Sequence, residues 1–511
     1  MRDAMIDVDV LIVGSGPVGA TCARLLVDQG HLHVLMVDAG PRLTERAGLH
    51  VRNLPEEARV AAQVAAQGPT AFRYAVPSMP ERAGAAVSGR YRLEHLVRPG
   101  THLPNGERWG ELPAAACSTN VGGMGAHWTC ACPPPADGEA IGFIPTDEMQ
   151  AALATARELL QVTAAAYPDT PVSQRLRERL SNAFAEVTSR DRAVQRMPLA
   201  CSAEHDQRRW SGSDTILGAL ADEAGRPERF ELRHDTACLQ LLVRHDRVIG
   251  AQLLDRSSGT RYRVDAKTVI VAADALRTPQ LLWASGIRPQ ALGRYLNDQP
   301  QVVHAVRLDA EECGITRPGE DATVGVYWVP FDRQHHPFHG QVMQMEACPV
   351  ALTDEAQANV EHIVAMGWFC CKQDIRAEDR VRFSETEKDF LGMPAMTLEY
   401  SLTERDLAQV DKARDLLQRA GKALGQPLGE APLMLPPGSS LHYQGTTRMG
   451  EADDGTSVCD DRGQVWGFRN LFVAGNGVIP TPTACNPTLT SVALAVRACE
   501  RILQEHTHGH A

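Results

Sequence analysis

The sequence predicts an α/β fold in which helices wrap a largely parallel sheet, joined to an α+β domain on a mixed or antiparallel sheet. Three observations carry this. Residues 10–13 (VLIV) are apolar throughout, as a strand covered on both faces should be. They run into the glycine turn VGSGPVGA, after which residues 17–29 read as a helix with Val18, Cys22 and Leu25 at helical spacing, and residues 34–37 return as a second strand. From residue 230 to 271 the pattern changes to short strands broken by turn residues such as SSG, as in hairpins.

The remaining elements follow in chain order. Residues 43–90, rich in Ala, Arg and Glu, are expected to be partly helical. Pro145 and Thr146 open a helix expected over 146–166, carrying Leu153, Leu159 and Leu160. Residues 303–350 read as mixed strand and loop. A second strong helix covers 403–423, with Asp406 three residues after Thr403 in the manner of a capping box. A short strand is expected at 470–474, and a helix at 488–503 with Leu489, Val492, Val496 and Cys499 on one face.

Composition excludes several classes. The 511 residues suffice for two or three domains, and 43% apolar with 22% charged residues describes a globular chain. A net charge of -12 argues against an electrostatic grip on nucleic acid or on an anionic membrane. Thirteen scattered cysteines without two-by-two spacing point to a reducing, cytoplasmic setting and to no metal site. Neither a signal segment nor a spanning helix is expected.

Gly14, Gly16 and Gly19 stand between strand and helix. The first makes the tight turn, the second lets a pyrophosphate approach the backbone, and the third lets helix pack on strand. Asp38, ending the second strand, offers a carboxylate to a ribose diol and disfavours a 2′-phosphate. The motif alone does not choose between FAD and NAD; its position at the N-terminus, its single copy and the glycine-rich stretch GNGVIPTPTACNPTLT near the other end favour FAD. Pro487 and Thr488 begin the last helix, whose partial positive charge suits the pyrimidine edge of a flavin. His442, in a loop of small residues, has the side chain best suited to taking a proton from an alcohol. A non-catalytic dinucleotide-binding protein stands as the alternative.

Several stretches, including TNVGGMGAHWTCACP, MPLACS, TVIVAADALRTPQLLWASG, GRYLNDQP, HPFHGQV, LHYQGTTRMG and ACNPTLTSVALAVRACERI, resemble the glucose-methanol-choline (GMC) oxidoreductases. Within them they are most similar to the pyranose oxidases and the bacterial relatives that oxidise glycosides at C3. The resemblance implies a Rossmann-like FAD-binding domain formed by residues 1–140, 229–298 and 452–511. It also implies a mainly helical segment at 141–228 on the substrate side and a substrate domain at 299–451 with an active-site loop at 344–354.

The resemblance implies His442 as catalytic base with Asn486 as its partner, both touching substrate beside Gln341 and Met343. FAD would contact Gly14, Gly16, Pro17, Gly19, Asp38 and Ala39 at one end. Gly122, Gly123, Met124, His127, Trp128 and Thr129 form a second set, with Cys238, Ala273, Gly475, Asn476, Pro487 and Thr488 completing it. Through His127 the flavin is expected either bound covalently or held without a bond. The substrate is a pyranose sugar or glycoside oxidised at C2 or C3, with oxygen or a quinone as acceptor, by a monomer or small homo-oligomer. Gly125 and Ala126 replace the Ser-Thr of the fungal enzymes, Thr447 replaces a second histidine, and the loop MEACPVALTDE lacks their aromatic residues.

Overall fold

The computed structural model describes residues 6–62 except 56 and 60, residues 112, 115 and 117–186, residues 192–309 except 205 and 206, and residues 311–314, 324–344, 363–389 and 391–508. Most of the expected helical stretch 43–90, and the loop 344–354 from residue 345 onward, lie outside the described residues.

Strands β1 (Ile6–Val13) and β2 (Val34–Val37) run parallel, Val10 beside Val34 and Val13 beside Val37, with helix α1 (Pro17–Gly30) crossing between them. Pro17 stands in the first turn of α1, where a missing N–H costs nothing, and His31 ends the helix by turning left-handed at φ 51°. β3 (Phe230–Arg233) joins beside β2 in the same direction. Next come β4 (Thr236–Arg244), β5 (Arg247–Asp255) and β6 (Arg261–Val271), an antiparallel meander whose last strand pairs parallel with β1. The end of β6 also pairs parallel with the strand Leu471–Val473. One sheet is thus assembled from stretches far apart in the chain.

Alternation along β1 divides its side chains between two cores, Val10 and Ile12 into one and Leu11 and Val13 into the other, all nearly or fully buried. The first core also takes Leu153 and Leu160 of α2 (Thr146–Leu160) and, with Val492 and Val496, the apolar face of the final helix. Each such leucine contributes about 1.5–3 kcal/mol by leaving water. α2 is shorter than the 146–166 expected. Gln161 turns left-handed at φ 52° and closes the last turn, and Val162 and Thr163 then pair as a short strand with Ala200 and Leu199.

Helix α3 (Pro171–Phe184) belongs to the second domain, whereas α4 (Asp274–Ala284) follows β6 in the first. The second sheet contains β7 (Gln301–Leu308), β8 (Val326–Val329), β9 (Phe338–Gln344), β10 (Ile363–Cys370) and β11 (Gly425–Met434). Their order is β11-β7-β10-β9-β8, with Gln195–Arg196 at the edge, and every pairing is antiparallel. α3 and α5 (Glu404–Leu424) pack on it, Leu176, Phe184 and Leu417 against Val302 and Trp368. α5 begins with the expected capping box, the Thr403 N–H donating to Asp406 Oδ2 at 2.8 Å. Residues 141–228 therefore divide between the domains, α2 on the first sheet and α3 on the second. The last helix is α6 (Thr488–His508). Among the described residues no helix is long and apolar enough to cross a membrane.

Candidate active site

A cavity of about 410 Å³ runs from the ends of β1 and β2 to the face of the second sheet. Gly14, Gly16 and Asp38 line one end; Gln341, His442 and Asn486 line the other.

At the first end Gly14 takes φ 106°, and a Cβ there would stand 2.3 Å from the Ala272 carbonyl oxygen. A Cβ on Gly19 would stand 2.0 Å from the Gly14 carbonyl oxygen, so helix and turn touch through bare backbone. Gly16 differs: its Cβ would meet nothing within 4 Å, leaving open space in front of the start of α1. Asp38 Oδ2 accepts from the Ser15 N–H at 3.1 Å and the Ser15 hydroxyl at 2.6 Å, and Oδ1 accepts from Gly40 N–H at 2.9 Å. Burial pushes this carboxyl up from its ordinary value against the pull of those hydrogen bonds. Oδ1 keeps capacity for a further donor. Nearby, Arg277 lines the cavity and donates to Thr119 Oγ1 at 2.7 Å, while its buried Nε has no partner among the described residues.

The segment TNVGGMGAHWTC folds across the start of α1. Gly122 and Gly123 have φ 93° and 51°, the Gly122 N–H donates to Ser15 Oγ at 2.9 Å, and a Cβ on Gly125 would stand 2.7 Å from Pro17 Cγ. Small residues are required here by backbone packing, while Gly123, Met124 and Gly125 also face the cavity. The turn delivers His127, whose Nε2 lies 2.6 Å from Ser118 Oγ. Trp128 is fixed by its Nε1–H donating to the Ser211 carbonyl at 2.8 Å.

At the far end Leu441 adopts φ 62°, an uncommon conformation for a branched residue, immediately before His442. His442 Nδ1 lies 2.7 Å from Gln299 Oε1, and its Nε2 lies 3.5 Å from Asn486 Nδ2. Gln341 Nε2 donates to Asn486 Oδ1 at 2.6 Å, which turns the Asn486 amide so that its NH₂ faces His442. Burial pushes the His442 imidazole down to about 3, so it is neutral at ordinary pH. A lone pair and an N–H donor thus stand side by side on the cavity wall.

The stretch before Asn486 is clamped from behind. Glu139 Oε1 accepts from the N–H groups of Ala484 and Cys485 at 2.8 and 2.9 Å, and Oε2 accepts from His339 Nε2 at 2.9 Å. Burial acts to raise this carboxyl, but His339 and the amides overcome it and hold the pKa below the ordinary value. Glu139, His339 and Cys485 bring their ligand atoms within 4.8 Å of one another. Those atoms are already used: His339 Nδ1 accepts from Trp328 Nε1–H at 2.9 Å, and the Cys485 thiol donates to the Pro133 carbonyl. The cluster reads as a buried hydrogen-bond network.

Comparison with known proteins agrees with this arrangement. The GMC oxidoreductase N- and C-terminal family models match residues 136–301 and 376–495, and an NAD(P)-binding Rossmann-like model matches 12–74. The chain is 48% identical to a C-glycoside 3-oxidase of Microbacterium trichothecenolyticum, over 98% of this chain and 97% of that one. The chain is a GMC oxidoreductase. It is also 32% identical to a pyranose 2-oxidase of Tricholoma matsutake, over 97% of this chain and 93% of that one. In fold it matches pyridoxine 4-oxidase of Mesorbium loti with a TM-score of 0.62 at 16% identity, covering 96% of this chain and 98% of that one.

Membership of the GMC oxidoreductases implies FAD, and the cavity fits it: Gly16 and Gly475 present bare backbone to open space, and Arg277 offers an unused donor. All of the expected cofactor residues line the cavity except Gly19, Gly122 and Pro487. Gly19 packs on Gly14 and Gly122 on Gly48, while the Pro487 carbonyl accepts the Ser491 N–H inside α6. Of the expected substrate residues, Met343 lines the cavity and Gln341 lines it while orienting Asn486. Sequence reasoning assigned no role to Ser15, Ser118, Arg277 or Gln299. Ser15 sits inside the glycine motif and Gln299 inside GRYLNDQP, strings already singled out. The partners they meet, however, are distant in the chain.

Proposed function

We propose that this GMC oxidoreductase is an FAD-dependent oxidase that converts the C3 hydroxyl of a glycoside's sugar ring, C-glycosides included, to a ketone. The observation that carries the reading is the pair at the cavity end, His442 Nε2 as acceptor and Asn486 Nδ2 as donor, 3.5 Å apart. A secondary hydroxyl between them gives its proton to Nε2 while its oxygen accepts from Asn486. That second bond strengthens as negative charge develops on the oxygen, which favours the transition state over bound alcohol. The burial that keeps His442 unprotonated also makes its imidazolium costly, so proton transfer is tied to charge developing beside it. FAD held along the Gly14–Gly16 end of the cavity and the Gly123–Met124 turn would supply the hydride acceptor, with oxygen as the final acceptor yielding hydrogen peroxide.

The likeness to C-glycoside 3-oxidases supports C3 and a glycoside. A glycoside is also supported by the wall around the pair, where Met343, Phe369 and Leu435 offer an apolar surface to an aglycone. In a panel of C-glycosides, O-glycosides and free pyranoses under air, the glycosides should be consumed fastest, giving one peroxide per 3-keto product. Turnover with a quinone but not with oxygen would make the protein a dehydrogenase, and a 2-keto product would overturn the regiochemistry.

The hydrogen bond between Ser118 and His127 Nε2 supports FAD held without a covalent bond, because alkylation of that nitrogen would abolish it. Acid precipitation should leave the flavin colour in the supernatant; a yellow pellet would mean a covalent link. Every described cysteine is a free thiol, which supports a reducing, cytoplasmic setting.

A further inference from the structure

We infer that Gln299 is a positioning residue: its single side-chain amide holds His442 in the tautomer that can take a proton and ties down the backbone that carries Asn486. The inference rests on the reading of His442 as base. Gln299 is 1% exposed, immediately precedes Pro300 and β7, and stands behind His442 instead of on the cavity wall. Its Nε2 donates to the Cys485 carbonyl at 2.8 Å and to Thr483 Oγ1 at 3.2 Å. An amide has one donor end and one acceptor end, so with NH₂ committed there, only Oε1 is left for His442 Nδ1 at 2.7 Å. Nδ1 must therefore carry the hydrogen. The lone pair then falls on Nε2, beside Asn486 Nδ2.

Reversing the amide would press an N–H against Nδ1, move the imidazole proton to Nε2 and set it against the Asn486 NH₂. The orientation is fixed by the Cys485 carbonyl, which can only accept; Thr483 Oγ1 is itself placed by the amide of Gln444, two residues beyond His442, at 3.0 Å. The Cys485 carbonyl belongs to the residue before Asn486, so the same side chain sets one partner's protonation and the other's location.

Burial is the cause of the low His442 pKa, and no charged side chain among the described residues offsets it. A titratable group connected to His442 through the Ser440 hydroxyl is Asp298, adjacent to Gln299. Its carboxylate accepts from the Gly438 N–H at 2.7 Å and from the Ser440 hydroxyl, whose oxygen accepts the His442 backbone N–H at 3.1 Å. Burial pushes Asp298 up to about 6, inside the assay range, so its contribution has to be separated.

The test measures kcat, KM, flavin content and the pH profile of the holoenzyme for Gln299→Leu, Gln299→Glu, Asp298→Asn and His442→Ala. Gln299→Leu should lower kcat by about 10²-fold or more with little change in KM, since a histidine in the wrong tautomer loses its function as base. Gln299→Glu keeps the size and the acceptor but adds a negative charge beside Nδ1–H. This stabilises the imidazolium, raises the His442 pKa and moves the acid limb to higher pH by about one unit or more. Asp298→Asn should leave that displacement intact in the double variant. A purely structural role would lower flavin content in Gln299→Leu without a selective loss of kcat in the flavin-loaded fraction. If Gln299→Leu keeps kcat within about twofold of the parent, or the Gln299→Glu limb does not move, while His442→Ala is inactive, the positioning role falls and the base assignment stands. If His442→Ala turns over like the parent, the base assignment falls and takes the positioning role with it.

Discussion

Alanine at position 442 should leave a folded, flavin-loaded protein whose kcat with a glycoside falls by about 10²- to 10⁴-fold while KM changes little. The imidazole reaches three features of the site: Gln299 through Nδ1, Asn486 through Nε2, and the ring of Phe369, 5.2 Å away between centroids. Without it Asn486 keeps its orientation, because Gln341 fixes it independently, so binding survives better than proton transfer. Stopped-flow reduction of the bound flavin without oxygen measures the step directly. A variant reduced as fast as the parent would remove His442 from the chemistry.

The second large effect is expected at Gly19. Its Cβ would lie 2.0 Å from the Gly14 carbonyl oxygen, and neither backbone can withdraw: the Gly14 N–H is bonded to the Val37 carbonyl at 2.9 Å, and Gly19 sits inside α1. Gly19→Ala should cost about 3 kcal/mol or more, and Gly19→Val should give little soluble holoprotein. That is a large fraction of a typical stability of about 5–15 kcal/mol. Gly16→Ala is the control. Its Cβ enters open space, so the apoprotein should melt like the parent while FAD binds less tightly. Melting temperature with and without added FAD separates the two; equal behaviour of both variants would contradict the distinct roles given to these glycines.

The legible parts of the fold were those written in local chemistry. The apolar β1, the proline and glycines opening α1, and the Thr403 and Asp406 cap each place an element within a few residues. α2 stops short of the expected 146–166 because Gln161 turns left-handed, and no neighbouring glycine announces that turn. The site residues were named by resemblance, but how they interlock was not legible. Gln299 and His442 are 143 positions apart, and Gln341 and Asn486 are 145 apart. Nothing in either local string says that the amide of one orients the other. Gln341 shows the consequence. Expected as a sugar contact, it lines the cavity and also donates one N–H to Asn486, a role its local string does not announce.

The account rests on a sugar hydroxyl held between His442 Nε2 and Asn486 Nδ2, with its carbon giving up hydrogen to bound FAD. Anaerobic reduction of the flavin by a C-glycoside carrying deuterium at C3 tests this most directly. Reduction distinctly slower than with the unlabelled glycoside, ending in one 3-keto product per flavin, is the predicted result. Unchanged reduction with the label retained, or no bleaching by any glycoside, would contradict it.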